Sequence, residues 1–333
     1  MPIENARTID VHAHIVLEAS LGAAGAHGPE LTTAADGRPL FRAGGYRLHG
    51  VRYRNSPFMD VGMRIAAMDQ AGIDFQVVSP NPLTYFHFIE APSALAYCRR
   101  HNDALATTIA PYPQRLAGFA ALPMQDPAAA AAELTRAVKE LGLFGAYVGT
   151  EFGIRLDSPA LDPFYERCVE LDVPLFYHPA PAGIDGPAAF PPLGEFDLDL
   201  LVGFAAQETA AVGRLIFGGV LDRHPRLDIC ISHGGGAIAL LAGRFAQAAR
   251  KRPWSPDALR EEGAFEARLR RLWFDNHVHG AEALALLERV VGPDRLVLGT
   301  NFAGWDQQGG TKAGQWPVCL ADNARRLLRR IPR

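Results

Sequence analysis

Eight short runs of β-branched and aromatic residues recur along this 333-residue chain, and each leads, directly or through a loop, into a helical segment rich in Ala, Leu and Arg. The runs cover residues 8–16, 75–81, 116–122, 145–150, 173–179, 227–234, 272–278 and 296–302. Strands alternating with helices build a parallel sheet covered by those helices, and eight such units predict an α/β fold closed into a (β/α)8 TIM barrel. Residues 126–141, opening on Asp-Pro, and 161–171, ending before VPLFYH, are predicted helices. The rival is an open doubly wound sheet. It would carry a glycine-rich phosphate turn after the first strand, where this chain has His12-Ala13-His14.

Residues 17–58 break the rhythm with a stretch punctuated by Gly, Ala and Pro, then the basic run YRLHGVRYR. It is too long for an ordinary βα loop, so an insertion after the first strand is expected to cap the catalytic face of a single domain spanning residues 1–333. A content of 48% hydrophobic and 21% charged residues fits one large core. The net charge of -3 is interspersed and offers no basic field, which argues against nucleic acid and anionic membranes as partners. The opening MPIENARTIDVHAH lacks a basic segment followed by an apolar stretch of about 7–15 residues, and no later run reads as a span of roughly 20 residues. A cytoplasmic protein is expected. Cys98, Cys168, Cys230 and Cys319 stand apart, as free thiols in a reducing compartment would.

His12 and His14 sit two residues apart on the first strand, so both side chains project from one face and can grip one ion. Alone, such a pair is as well explained by two hydrogen-bonded core histidines. His178 ends the fifth strand in LFYHPA and His233 the sixth in CISHGGG, both followed at once by turn residues. Four histidines at the strand ends of one barrel point to a metal site.

With this pattern go MDQAGIDFQVVSPNP, HNDALATTIAPYPQRLAGFAALPMQDP, KELGLFGAYVGT, FDNHVHGAEALALL and GPDRLVLGTNF, in that order. Over nearly its whole length the chain resembles the amidohydrolase-related group typified by aminocarboxymuconate-semialdehyde decarboxylase. The resemblance implies one divalent cation, zinc first and manganese second, held by His12, His14, His178 and the residue ending strand eight, with His233 as acid or base. It also implies a homodimer and a metal-dependent carbon–carbon lyase acting on a small carboxylated aromatic or muconate-type substrate. Hydrolysis or hydration of a lactone, ester or unsaturated acid is the alternative, and a non-catalytic ligand-binding role is the third.

One position departs from the group. Asn301 stands in LGTNFAGWD where an aspartate is expected, and an amide offers only a neutral carbonyl and cannot act as a general base. Asp306, five residues on, either swings in as the replacement carboxylate or caps its loop. Strand four lacks the lysine of binuclear relatives, and Glu151 just past it reads as a solvated carboxylate. His277 and His279 form a second HxH, but the group has a similar VH without a second ion, so one of them is expected on substrate or loop. Tyr85, Phe86, Phe88, Phe302 and Trp305 are candidates for apolar substrate walls or for core packing. Arg54 and Arg52 in the insertion are either carboxylate clamps or solvated surface residues.

Overall fold

The structure, a computed structural model, describes residues 3–181, 191–307 and 317–329. The barrel strands are β1 (Ile9–Ile15), β5 (Phe75–Pro80), β6 (Leu116–Gly118), β7 (Ala146–Gly149), β8 (Leu175–His178), β9 (Ile229–Ile231), β10 (Trp273–Asp275) and β11 (Leu296–Val297). Three strands of the insertion, β2 (Glu30–Thr33), β3 (Pro39–Ala43) and β4 (Tyr46–His49), complete the strands of the described residues. Parallel pairing runs β1-β5-β6 in one arc and β7-β8-β9-β10-β11 in the other. Isolated parallel bridges join the arcs at both seams, Ala120 to Ala146 at one and Asp10 to Leu298 and Ala13 to Phe302 at the other. The predicted barrel, with one strand in each of the eight expected places, is what forms.

Between consecutive barrel strands lie α1 (Val61–Ala71), α2 (Ala91–Ile109), α3 (Pro127–Lys139), α4 (Asp162–Leu171), α5 (Phe204–Phe217) with the short α6 (Val220–Arg223), α7 (Ile238–Lys251) with α8 (Ala264–Leu269), and α9 (Ala281–Val291). Helix α10 (Val318–Leu328) follows the last strand. Sequence chemistry sets their ends. Asp126 accepts from the backbone N–H groups of Ala128 and Ala129, satisfying two donors that the start of α3 would leave unpaired, and Pro127 fills the first turn. Asp60 caps α1 in the same way through Met63.

Every residue of β1 is buried, because barrel strands are covered on both faces. That makes Asp10, His12 and His14 exceptions in an otherwise apolar strand, and buried polar groups persist where partners satisfy them. The apolar core includes residues from all eight barrel strands in one cluster, with Tyr147 stacked on both Phe119 and Phe176 among them.

Strands β2, β3 and β4 form an antiparallel meander. Its Phe41 and Ala43 pack with Tyr53, Phe58, Leu83, Phe86 and Tyr97, seating the insertion on the segment between β5 and α2.

The helical stretch Asp199–Phe217 has 19 residues and a mean hydropathy of 1.3, so by length and composition it could cross a membrane, contrary to the sequence expectation. Its buried face is polar as well as apolar: Gln207 donates to the Ala180 carbonyl and accepts from Thr150, and Glu208 turns toward β9. Those contacts are what a barrel-packing helix makes, and they aim a carboxylate at the catalytic face.

Candidate metal and catalytic site

His12, His14 and His178 meet at the C-terminal rim of the barrel, all buried, with ring centroids 4.8 to 5.1 Å apart. One nitrogen of each ring is already committed. His12 Nδ1 donates to Asp275 Oδ2 at 2.8 Å, His14 Nδ1 to the Pro80 carbonyl at 3.1 Å, and His178 Nδ1 to the Pro179 carbonyl at 2.6 Å. Acceptors at Nδ1 fix the proton there and leave the Nε2 lone pairs for another partner. His12 Nε2 is buried and has no hydrogen-bond partner among the described residues. Burial, reinforced by neighbouring imidazoles, holds His12 and His178 well below the usual histidine range, and burial takes His14 down to about 3. Three neutral imidazoles with converging lone pairs suit a divalent cation.

A polar network holds this arrangement. Asp275 Oδ1 accepts from the backbone N–H groups of His277 and Gly234, so one carboxylate ties β10 to both His12 and the turn carrying His233. Gly299 allows the close approach: a Cβ there would lie 2.7 Å from Asp275 Cβ and 2.9 Å from His12 Cβ. Asp10 accepts from Gln76, from Thr300 and from the His12 backbone N–H, locking β1 to β5 and to the end of the eighth strand. Burial raises its carboxyl to about 6. The fully buried Arg64 donates to Gln76 Oε1 and to the His14 carbonyl, both at 2.5 Å.

His233 stands 4.9 Å, ring to ring, from both His12 and His178. Its Nδ1 lies 2.6 Å from Oε1 of Glu208, which also accepts from Ser232. Burial opposes charge on this imidazole, but the Glu208 carboxylate, joined by Asp275 and Asp306, raises the group to about 9. The turn that places it, SHGGG, needs its glycines: at Gly236, with φ +64°, a Cβ would lie 2.2 Å from the Ala205 carbonyl oxygen.

Asn301 has φ +49°, a left-handed conformation that Asn tolerates. Its Nδ2 donates to Asp306 Oδ1 at 2.6 Å, and His277 Nε2 lies 3.1 Å from Asp306 Oδ2. Partial burial would raise this carboxyl, yet the hydrogen bond and charge of His277, with His233 and Asn301, hold it well below the usual range. Asn301 and Asp306 thus stand together beside the histidines.

A cavity of about 520 Å3 opens above these groups, with His14, His178, His233, His277, His279, Asn301 and Asp306 in its wall. Its apolar surface comes largely from residues the sequence reading did not single out: Leu48, Val51, Tyr53 and Phe58 of the insertion, Leu200 just before α5, and Phe204 at its start. Of the proposed aromatic walls, only Trp305 lines it, and that ring is 74% exposed. Phe86 is a correction, for it is fully buried against Tyr97 beneath the insertion. Tyr85 stacks on His87, Phe302 lies under the Arg64 guanidinium, and Phe88 covers Gly44. Arg54 is also corrected: it is exposed and paired through both guanidinium arms with Glu18. Arg52 borders a different, smaller hollow, and Glu151 is exposed as expected. Asp275, Glu208 and the Tyr147 ring, which contacts all three histidines, were missed by the sequence reading. Glu208 alone carried a signal, as an acid inside the apolar stretch AAQETAAVG.

Comparison with known proteins agrees with this architecture. The chain is 32% identical over 247 residues to 2-amino-3-carboxymuconate-6-semialdehyde decarboxylase of Dictyostelium discoideum, covering 73% of this chain and 66% of that protein, just under two thirds of its length. Its fold matches apo IDCase of Metarhizium anisopliae with a TM-score of 0.80 at 22% identity, over 99% of this chain and 98% of the other. It also matches 5-carboxyvanillate decarboxylase of Novosphingobium aromaticivorans, complexed with manganese and 4-hydroxy-3-methoxy-5-nitrobenzoic acid, with a TM-score of 0.70 at 26% identity over 82% and 81% of the two chains. Residues 9–330 match the Amidohydrolase family (Amidohydro_2), and with the histidine-rimmed barrel already in view, the chain belongs to the amidohydrolase family.

Proposed function

We propose that this protein is a metal-dependent decarboxylase of a small carboxylated aromatic acid, working as a single capped barrel in the cytoplasm and as a homodimer. The observation that carries the reading is the convergence of three imidazoles, each fixed at Nδ1, beside the hydrogen-bonded His233–Glu208 pair at the base of a largely apolar cavity. His12, His14 and His178 would hold the cation. The Asn301 carbonyl, proposed from sequence as a fourth ligand, is a weak neutral donor beside them. Three imidazoles suit zinc first; the manganese in the carboxyvanillate decarboxylase complex makes that ion the alternative.

When bound, the cation supplies a Lewis-acid charge that holds and polarises the substrate carboxylate or an adjacent oxygen. The chain's own residues do the rest. Leu48, Val51, Phe58 and Phe204 exclude water and take an aromatic ring, while the polar groups gathered at the histidines orient its acidic end. His233 delivers its proton to the ring carbon bearing the carboxylate. The bond from that carbon to the carboxyl carbon then breaks, its electron pair returns to the ring, and carbon dioxide departs. Glu208 keeps His233 oriented and stabilises its charged form, so that solvent can restore the proton for the next turnover. Asp306 supplies the carboxylate that Asn301 cannot, next to the reacting end of the substrate.

The test is a screen of hydroxylated benzoic acids, carboxylated muconate-type acids and simple lactones with metal-loaded protein, reading carbon dioxide release and lactone opening. Carbon dioxide from an aromatic acid, abolished in His233→Ala, supports the proposal. Lactone opening without decarboxylation moves the assignment to hydrolysis, and binding without turnover of any class moves it to the ligand-binding role.

A further inference from the structure

The end of β10 repeats, on a smaller scale, the construction at the end of β1. His277 and His279 follow the strand two residues apart, and their rings stand 5.0 Å apart at 79°, against 5.1 Å and 75° for His12 and His14. Between them and the eighth strand lies Asp306, whose Oδ2 is 3.1 Å from His277 Nε2 and 3.7 Å from His279 Nε2. One candidate ligand atom from each of these three residues lies within 4.8 Å of the other two. The other carboxylate oxygen, Oδ1, is held by Asn301.

We propose that His277, His279 and Asp306 form a second, exchangeable site for a divalent transition metal, separate from the ion on His12, His14 and His178. The distances suit it: donors about 2.0–2.1 Å from a tetrahedral ion stand roughly 3.3 Å from one another, and 3.1 and 3.7 Å bracket that value. Two imidazoles and one carboxylate favour zinc, cobalt or nickel over calcium and magnesium, which want oxygen donors. The Asn301 amide holds the carboxylate in a ligating orientation, the task that outer partners perform around metal sites. The cluster also has an entry path. His279 is 62% exposed at the side chain, and with Asp306 it borders an open groove floored by Val278, Gly280 and Trp305. Partial exposure and three donors leave coordination positions to water, so this ion is held more weakly than the buried one.

Occupation has a consequence for the first site. The ion replaces the hydrogen bond between His277 Nε2 and Asp306 Oδ2 and engages that oxygen, withdrawing a carboxylate from the cavity wall. Excess zinc then inhibits the enzyme while the first ion stays in place. The sequence reading discounted a second ion; the juxtaposition of Asp306 with the HxH pair is the observation it lacked.

Equilibrium dialysis of the chelator-stripped full-length protein against zinc and against cobalt, followed by elemental analysis, tests the proposal. The parent is expected to take up two ions per chain, one tightly and one weakly. His279→Ala and Asp306→Asn each lose the weak ion alone, and His178→Ala loses the tight one. Because His279 is exposed, its substitution leaves the fold intact, which circular dichroism checks. Cobalt absorption gives a readout independent of turnover: the weak phase of the parent titration disappears in His279→Ala. Saturation at one ion per chain overturns the proposal, as does a weak ion that survives both substitutions, which would mark ordinary surface binding.

Discussion

Asn301 Nδ2 lies 2.6 Å from Asp306 Oδ1, so the amide at the end of the eighth strand holds a carboxylate five residues further along the chain. The position that lacks an acid therefore positions one. Asn301→Asp would bring two carboxylates into contact, where they cannot both ionise, and would remove the donor that orients Asp306. A charge-assisted hydrogen bond is worth ~1.5–3 kcal/mol, so kcat/KM is expected to fall roughly tenfold or more at neutral pH. The double variant Asn301→Asp with Asp306→Asn restores one donor and one acceptor and should recover part of the loss. Steady-state kinetics on the substrate found by the screen checks both, and higher activity in Asn301→Asp than in the parent would contradict the role given to Asp306.

The acceptor at His12 Nδ1 is Asp275, in a contact fully enclosed by the barrel. Asp275→Asn keeps the shape but weakens the acceptor and frees the ring tautomer. Removal of such an outer partner typically weakens metal binding ~10–100-fold. Competition with a chelator of known affinity measures it, and unchanged affinity would show that Asp275 does not orient His12.

His233 is raised to about 9 by Glu208 in the metal-free protein. Its contribution to stability is therefore full below the unfolded value near 6.5 and is lost as pH rises through about 9. Proton-detected titration of the metal-free protein should place His233 in that range, and Glu208→Gln should lower it, because the carboxylate is the main group favouring the charged form. A cation on the neighbouring histidines adds positive charge and shifts the titration downward. An unchanged His233 titration in Glu208→Gln would contradict the pairing.

Gly236→Ala places a Cβ against the Ala205 carbonyl at a left-handed φ. Conformational strain alone costs ~1–3 kcal/mol, before any clash is relieved. Thermal denaturation is expected to show a clear loss of stability, and because the turn carries His233, activity should fall further than stability alone explains.

The barrel was legible because eight strand runs alternate with amphipathic helices, and the boundaries moved by only a few residues. His12, His14, His178 and His233 were legible only as a set: each alone is explained as a satisfied histidine, whereas four at strand ends of one barrel are not. Asp275 was not, because its meaning depends on Gly299 allowing His12 to approach it from a strand 263 residues away. The cavity walls were misplaced for a related reason. Aromatic residues near strand ends say nothing of which face they take, and Phe86 turned into the core while Leu48, Val51 and Phe58 of the insertion reached the mouth. Arg54 found Glu18 before it could find a substrate.

The central claim is that His12, His14 and His178 hold one tightly bound divalent cation. Elemental analysis of protein purified without chelator and passed over a chelating resin tests it most directly. The account predicts about one zinc or manganese per chain in the parent and almost none in His12→Ala or His178→Ala, with the fold retained. A folded parent free of metal, or variants that keep the ion, would contradict it.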